Sequence, residues 1–123
     1  MPWVAVGAIL AALAIAAGAF GAHALSSRLD AHALALWETA ARYLMYGALG
    51  TLAVGIYARQ PQGSGWAADV AGWCLVVGAV IFSGTVGALA LGSPRWFGAI
   101  TPIGGLLLIA GFLIFAWSAL RLG

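Results

Sequence analysis

The chain has 123 residues, 64% of them hydrophobic and only 7% charged, where soluble domains carry roughly a quarter charged residues. A soluble globular fold is thereby excluded, and the bilayer becomes the solvent. The net charge of +2, from five basic residues that are all Arg against three acidic ones, is too small and too dispersed for a nucleic-acid partner.

A hydrocarbon core of about 30 Å takes roughly 20 helical residues to cross. Four apolar runs reach that length, at about 3–25, 37–58, 66–91 and 99–120, within one membrane domain covering residues 1–123. The runs are continuous rather than alternating, which selects helices over strands. The predicted fold is therefore all-α: an integral membrane four-helix bundle, with a short interfacial helix between the first two spans. An even number of spans puts both termini on one side, while the scattered arginines do not decide which side that is.

In the first run, Ala14, Gly18 and Ala22 recur at every fourth position, a spacing that lets helix backbones approach closely. Its end, Ala22-His23-Ala24, imitates a signal-peptide cleavage site. The run lacks a basic start and exceeds the usual 7–15 apolar residues of such a signal, so it is read as a retained span.

Ser27-Arg28-Leu29-Asp30 resembles a helix-capping box with Asp for Glu, and nothing after it breaks a helix before Gly47. A helix starting near Ser27 would run along the interface into the second span. At about 100° per residue it would gather Arg28, His32, Thr39, Arg42, Tyr43 and Tyr46 on one face. Glu38 precedes Arg42 by one turn, the favourable order for a helical ion pair. Further along, Gly47, Thr51 and Gly55 form a second small-residue stripe.

Gln60-Pro61-Gln62-Gly63-Ser64-Gly65 is a breaker-rich loop, and Gly92-Ser93-Pro94 ends the third run, which carries the stripe Gly84, Ala88, Gly92. Cys74 is the single cysteine; it can form no intrachain disulfide and reads as a small buried hydrophobe. Thr101-Pro102 either caps the fourth helix, with Pro102 at its first position, or interrupts a helix begun at Ser93-Pro94. Gly104 and Gly105 complete the predicted packing set of Gly18, Gly21, Gly47, Gly55, Gly84 and Ala88. Trp3, Trp37, Trp66, Trp96 and Trp117 stand near span ends, where indole prefers the headgroup level, and Trp73 sits further inside.

The segments Gly18-Ala19-Phe20-Gly21-Ala22-His23-Ala24-Leu25, Phe82-Ser83-Gly84-Thr85, Ala88-Leu89-Ala90-Leu91 and Ile100-Thr101-Pro102-Ile103-Gly104-Gly105 together resemble the YgdD-like family of small bacterial membrane proteins, domain of unknown function 423. The resemblance runs in order along essentially the whole chain. It implies a compact four-helix protein of the inner membrane with both termini cytoplasmic, and it implies no activity. Where that family often has Tyr-Gln-x-x-His-Ala-Leu, this chain reads Tyr43-Leu44-Met45-Tyr46-Gly47-Ala48-Leu49, and a tyrosine frequent in the third span is Gly87 here. The bundle centre is accordingly expected to be drier, and either tighter or open to an added group.

The candidate polar site is His23, Arg28, His32, Glu38, Arg42, Tyr43 and Tyr46, because ionisable groups within a span are costly and mark function by default. No metal is expected: His23 and His32 share no i, i+4 ladder, and Asp30 and Glu38 do not complete a set with them. No cofactor and no catalysis are expected, since Ser83 lacks a nucleophile elbow and Ser83, Thr85 and Thr101 serve as helix-to-helix or local hydrogen bonds. The leading expectation is a non-enzymatic structural, accessory or lipid-interacting bundle, in contact with membrane lipid and with copies of itself or a larger complex. The alternative is an oligomeric transporter or channel for a proton, small ion or metabolite, working through the face around Arg42.

Overall fold

The computed structural model describes residues 1–63 and 65–122; Ser64, within the predicted loop, and Gly123 lie outside the described residues. Four long helices account for most of the chain: α1 (Trp3–Phe20), α2 (Ala31–Ala58), α3 (Trp66–Ala90) and α4 (Phe97–Leu122). A π-helical turn, Gly21–Leu25, extends α1, and a short 3₁₀ turn, Pro61–Gly63, joins α2 to α3. Trp3–Leu25, Trp66–Ala90 and Phe97–Arg121 are each long and apolar enough to cross a membrane. Composition alone does not mark α2 in that way, because its first half carries His32, Glu38 and Arg42.

The helix ends follow local chemistry. Asp30, not Ser27, caps α2: its backbone is extended and its Oδ1 accepts from the Ala33 amide at 2.8 Å. Asp30 is the better cap because it stands directly before the first helical turn, where its carboxylate faces the unpaired amides and the positive end of the helix dipole. Replacing it with Ala should cost about 1 kcal/mol of helix stability, seen as fraying of residues 31–34 in amide exchange; unchanged protection there would show that the cap contributes nothing. At the end of α3, Gly92 adopts φ +96° while Ser93 N donates to Ala88 O and Gly92 N to Leu89 O. This is a Schellman cap, so Gly92 terminates the helix rather than extending a packing stripe. Of the two readings of Thr101-Pro102 the second is the nearer: Pro102 lies inside α4, which starts at Phe97 rather than at Ser93-Pro94, after a turn in which Phe97 N donates to Pro94 O.

The helices pack in chain order, α1 on α2, α2 on α3 and α3 on α4, while α1 and α4 share no packed interface. Neighbours run antiparallel. Glycines set the close approaches, several of them directly against backbone: a Cβ on Gly7 would stand 2.6 Å from Leu52 N, and one on Gly78 would stand 2.8 Å from Leu108 N. Gly104 in turn faces Phe82 N and Gly78 O, while Gly55 meets Val4 and Gly47 meets Ala79. The core behind them is Val54, Ala68, Ala71, Leu75, Ala79 and Leu108, closed at one end by Trp3.

Two predicted packing positions are corrected. Added Cβ atoms on Gly18 and Gly84 would meet nothing within 4 Å, so neither glycine sets a close helix contact within the chain. The interior of α1 is built from Gly7, Leu10 and Ala14 instead, and that of α3 from Ala71, Gly72, Leu75, Gly78 and Ala79. Gly21 does pack, against the Trp37 indole, and Gly105 lies at ordinary contact distance from Phe82.

Candidate functional site

α2 is one continuous helix from Ala31, and this decides which predicted polar residues share a face. His32, Thr39, Arg42, Tyr43 and Tyr46 do; Arg28 does not, because it lies in the turn before the helix, where its amide donates to Leu25 O. His23 is exposed on the π-helical turn, and its imidazole has no hydrogen-bond partner among the described residues. Glu38 and Arg42 are both exposed and, among the described residues, form no ion pair, contrary to the sequence expectation. The helical spacing permits that pair, but both side chains face outward, where solvated or headgroup-bound rotamers compete with a weak surface contact.

The shared face borders a groove between α2 and α4. Tyr43 and Tyr46 form its α2 wall and Gly105, Leu108, Ile109 and Phe112 its α4 wall, around about 330 Å³. A second section of about 390 Å³ continues past Leu49 and Gly50 to Ala53, sharing Tyr46 and Phe112 with the first. Tyr43 is held by stacking on Phe82, ring centroids 4.5 Å apart, and meets Tyr46 edge-on at 5.1 Å. Below the groove the α3–α4 contact is tied by a 2.6 Å hydrogen bond between the Thr85 and Thr101 hydroxyls, and Thr85 also donates to Ile81 O or Phe82 O.

A second groove, about 270 Å³ and almost wholly apolar, opens between α1, α2 and α3 beside Leu13, Trp37, Leu44, Ser83, Gly84 and Gly87. The expected dryness of the bundle centre thus splits by position. Gly47 is tightly packed, whereas Leu44 and Gly87 border open space. Ser83 Oγ is buried without a hydrogen-bond partner among the described residues.

At the opposite end lies a residue that no pattern in the sequence singles out. Asp69, in the first turn of α3, accepts a 2.8 Å hydrogen bond from the Trp3 indole. Trp3 is only 2% exposed, seated on Gly72 and edge-on to Trp73 at 5.3 Å. Trp3 is therefore a core residue, not an interfacial anchor, and Trp37 is likewise half-buried, donating to Ala17 O at 2.8 Å. Trp73, one turn after Asp69 in α3, is 50% exposed. The available signal was an acidic residue near the start of an apolar run with an indole able to reach it, but the pairing spans the chain from residue 3 to residue 69. Arg59 borders the same polar pocket of about 260 Å³.

Helix length, apolar surface and antiparallel packing define the class: a small multi-pass α-helical membrane protein. The family model described as "Protein of unknown function (DUF423)" matches residues 17–105, and the chain belongs to this family. It is 45% identical over 113 residues to a UPF0382 membrane protein of Staphylococcus saprophyticus, covering 91% of each chain. Against a Staphylococcus epidermidis UPF0382 membrane protein it is 41% identical, covering 97% of this chain and 95% of the relative. It is also 37% identical to the UPF0382 membrane protein YwdK of Bacillus subtilis, over 97% of this chain and 96% of that one. No solved structure matches the chain.

Proposed function

We propose that this is a non-enzymatic accessory protein of the cytoplasmic membrane that works by associating, through the outer face of α1, with copies of itself or with a larger membrane complex. One observation carries the reading. Ala8, Ala12 and Ala16 stand four residues apart along α1 and are all exposed, while Gly7, Leu10 and Ala14 serve the interior. In lipid there is no hydrophobic drive between helices, and small residues at this spacing supply the close backbone approach on which association depends.

The antiparallel serpentine supports four crossings with both termini on one side, cytoplasmic in this proposal. Val4 meets Gly55, and Tyr57 Oη donates to Ser118 O at 3.2 Å, so the chain's two ends gather beside the end of α2. The charged and histidine candidates sit on the outer surface, and the buried polar groups among the described residues, Thr51, Ser118 and the hydroxyls of Ser83 and Ser93, are uncharged. That distribution favours association over a polar path through the bundle.

The test is cysteine cross-linking in native membranes. In a Cys74→Ala background, Ala12→Cys is expected to give a cross-linked adduct, either a dimer or a single larger species, and Ala12→Leu to abolish association of the otherwise unmodified protein in native mass spectrometry. Monomer throughout, with no adduct from a cysteine placed at position 12 or at positions 8 and 16, would refute the reading.

A further inference from the structure

We propose that the α2–α4 groove seats one acyl chain of a glycerophospholipid whose phosphate is held by Arg42. This inference is independent of the α1 face and concerns the opposite flank of the bundle.

Arg42 is exposed and unpaired among the described residues, although it lies well inside a helix of 28 residues. It stands about 7.5 Å along α2 from Trp37. A cation at that depth must either reach the headgroup layer or bring an anion to itself. Side chains on a helix lean toward its N-terminus, and in α2 that direction leads from Arg42 toward Glu38 and His32 at the membrane edge. A guanidinium extended in that direction reaches the polar end of α2, where a lipid phosphate would lie, and its fork of donors suits phosphate oxygens.

The α2 wall of the groove begins at Tyr43, the residue after Arg42. Tyr46, one turn further along, borders both groove sections. From Tyr43 to Ala53 the groove runs about 15 Å at 1.5 Å per residue, half of a hydrocarbon core of about 30 Å. That is the length available to an acyl chain in one leaflet. Its walls are apolar, with Gly105 and Gly50 keeping the floor low. Glu38 is the acidic neighbour to be reckoned with. Around α2 it is rotated about 40° from Arg42 in one sense and Tyr46 about 40° in the other, so the groove side of Arg42 stays clear of the carboxylate.

The experiment is native mass spectrometry of the full chain, delipidated and then offered dioleoylphosphatidylglycerol or dioleoylglycerol, which has the same chains and no phosphate. The wild type should retain one phosphatidylglycerol and release dioleoylglycerol. Arg42→Gln should lower retention about tenfold, the scale of a charge-assisted hydrogen bond, and leave the thermal transition in place because the Arg42 side chain makes no hydrogen bond or ion pair among the described residues. Glu38→Gln should keep or strengthen binding. Gly105→Leu fills the groove with Arg42 intact and should also displace the lipid. Equal retention of the two probes, full retention by Arg42→Gln, or indifference to Gly105→Leu would each overturn the proposal. So would a lipid-free dimer whose contacts cover the groove. Loss of the Ala12 cross-link without loss of the lipid adduct would instead bear on the α1 association alone.

Discussion

Gly104→Ala should destabilise the protein by about 2–3 kcal/mol, toward the upper end of what overpacking costs in a well-filled core, although it adds a single methyl group. A Cβ at this position would stand 2.5 Å from Phe82 N and 2.9 Å from Gly78 O. Both atoms are backbone, so no rotamer change can make room. The helices must part along their crossing, which forfeits dispersion contacts around Leu108 and strains the Thr85–Thr101 hydrogen bond. Gly84→Ala supplies the contrast. Gly84 belongs to the motif Phe82-Ser83-Gly84-Thr85, yet a Cβ there meets nothing within 4 Å. Removing glycine from a helix interior should then leave stability unchanged or raise it by about 0.5–1 kcal/mol. Equilibrium unfolding in mixed micelles separates the two, and equal losses for both variants would contradict the α3–α4 packing.

Trp3→Ala should cost about 3–5 kcal/mol, the range for emptying a large buried aromatic site. Trp3 lies at the first position of α1 yet is among the largest fully buried side chains. Apart from it, α1 has little packing against α3, so its indole on Gly72 and its hydrogen bond to Asp69 tie the start of α1 to the bundle. Trp3→Phe keeps most of the ring volume and loses the donor, and should cost about 0.5–1.5 kcal/mol. If Trp3→Ala behaves like Trp3→Phe in the same unfolding assay, the indole is an interfacial anchor rather than a core residue. The assay thus decides between the position suggested by its place in the sequence and the one it occupies in the fold.

Much of the fold was legible because it depends on one-dimensional quantities. Length and apolar content set the span boundaries, and Trp3–Leu25 coincides with the first predicted run. The loop breakers at Pro61 and Gly92 lie where the helices end. Capping was legible in kind but not in place, since Ser27 and Asp30 both offer an oxygen acceptor and only the path of the chain after the π-helical turn selects Asp30. The polar face on α2 was legible from helical periodicity. Its relation to the α4 groove was not, because nothing in the spacing of Arg42 and Tyr46 says which neighbouring helix Gly105 and Phe112 would bring alongside.

Small residues mark the division most sharply. Glycine and alanine every fourth position identify helix faces able to approach another helix, and that property belongs to the sequence. Whether a given face does so inside the chain depends on which helices become neighbours. Gly104 meets a backbone and Gly84 meets open space, though both sit in equally suggestive motifs. The amino-acid sequence by itself determined an all-helical membrane protein of this family, because burial in lipid requires each backbone to satisfy its own hydrogen bonds. Only the tertiary structure decided that α1 and α4 share no packed interface, that Trp3 is core, and that Tyr46, one turn after Arg42, borders a groove. Juxtapositions such as Trp3 with Asp69 and Tyr46 with Phe112 join distant residues, set by the fit of particular surfaces rather than by any local propensity.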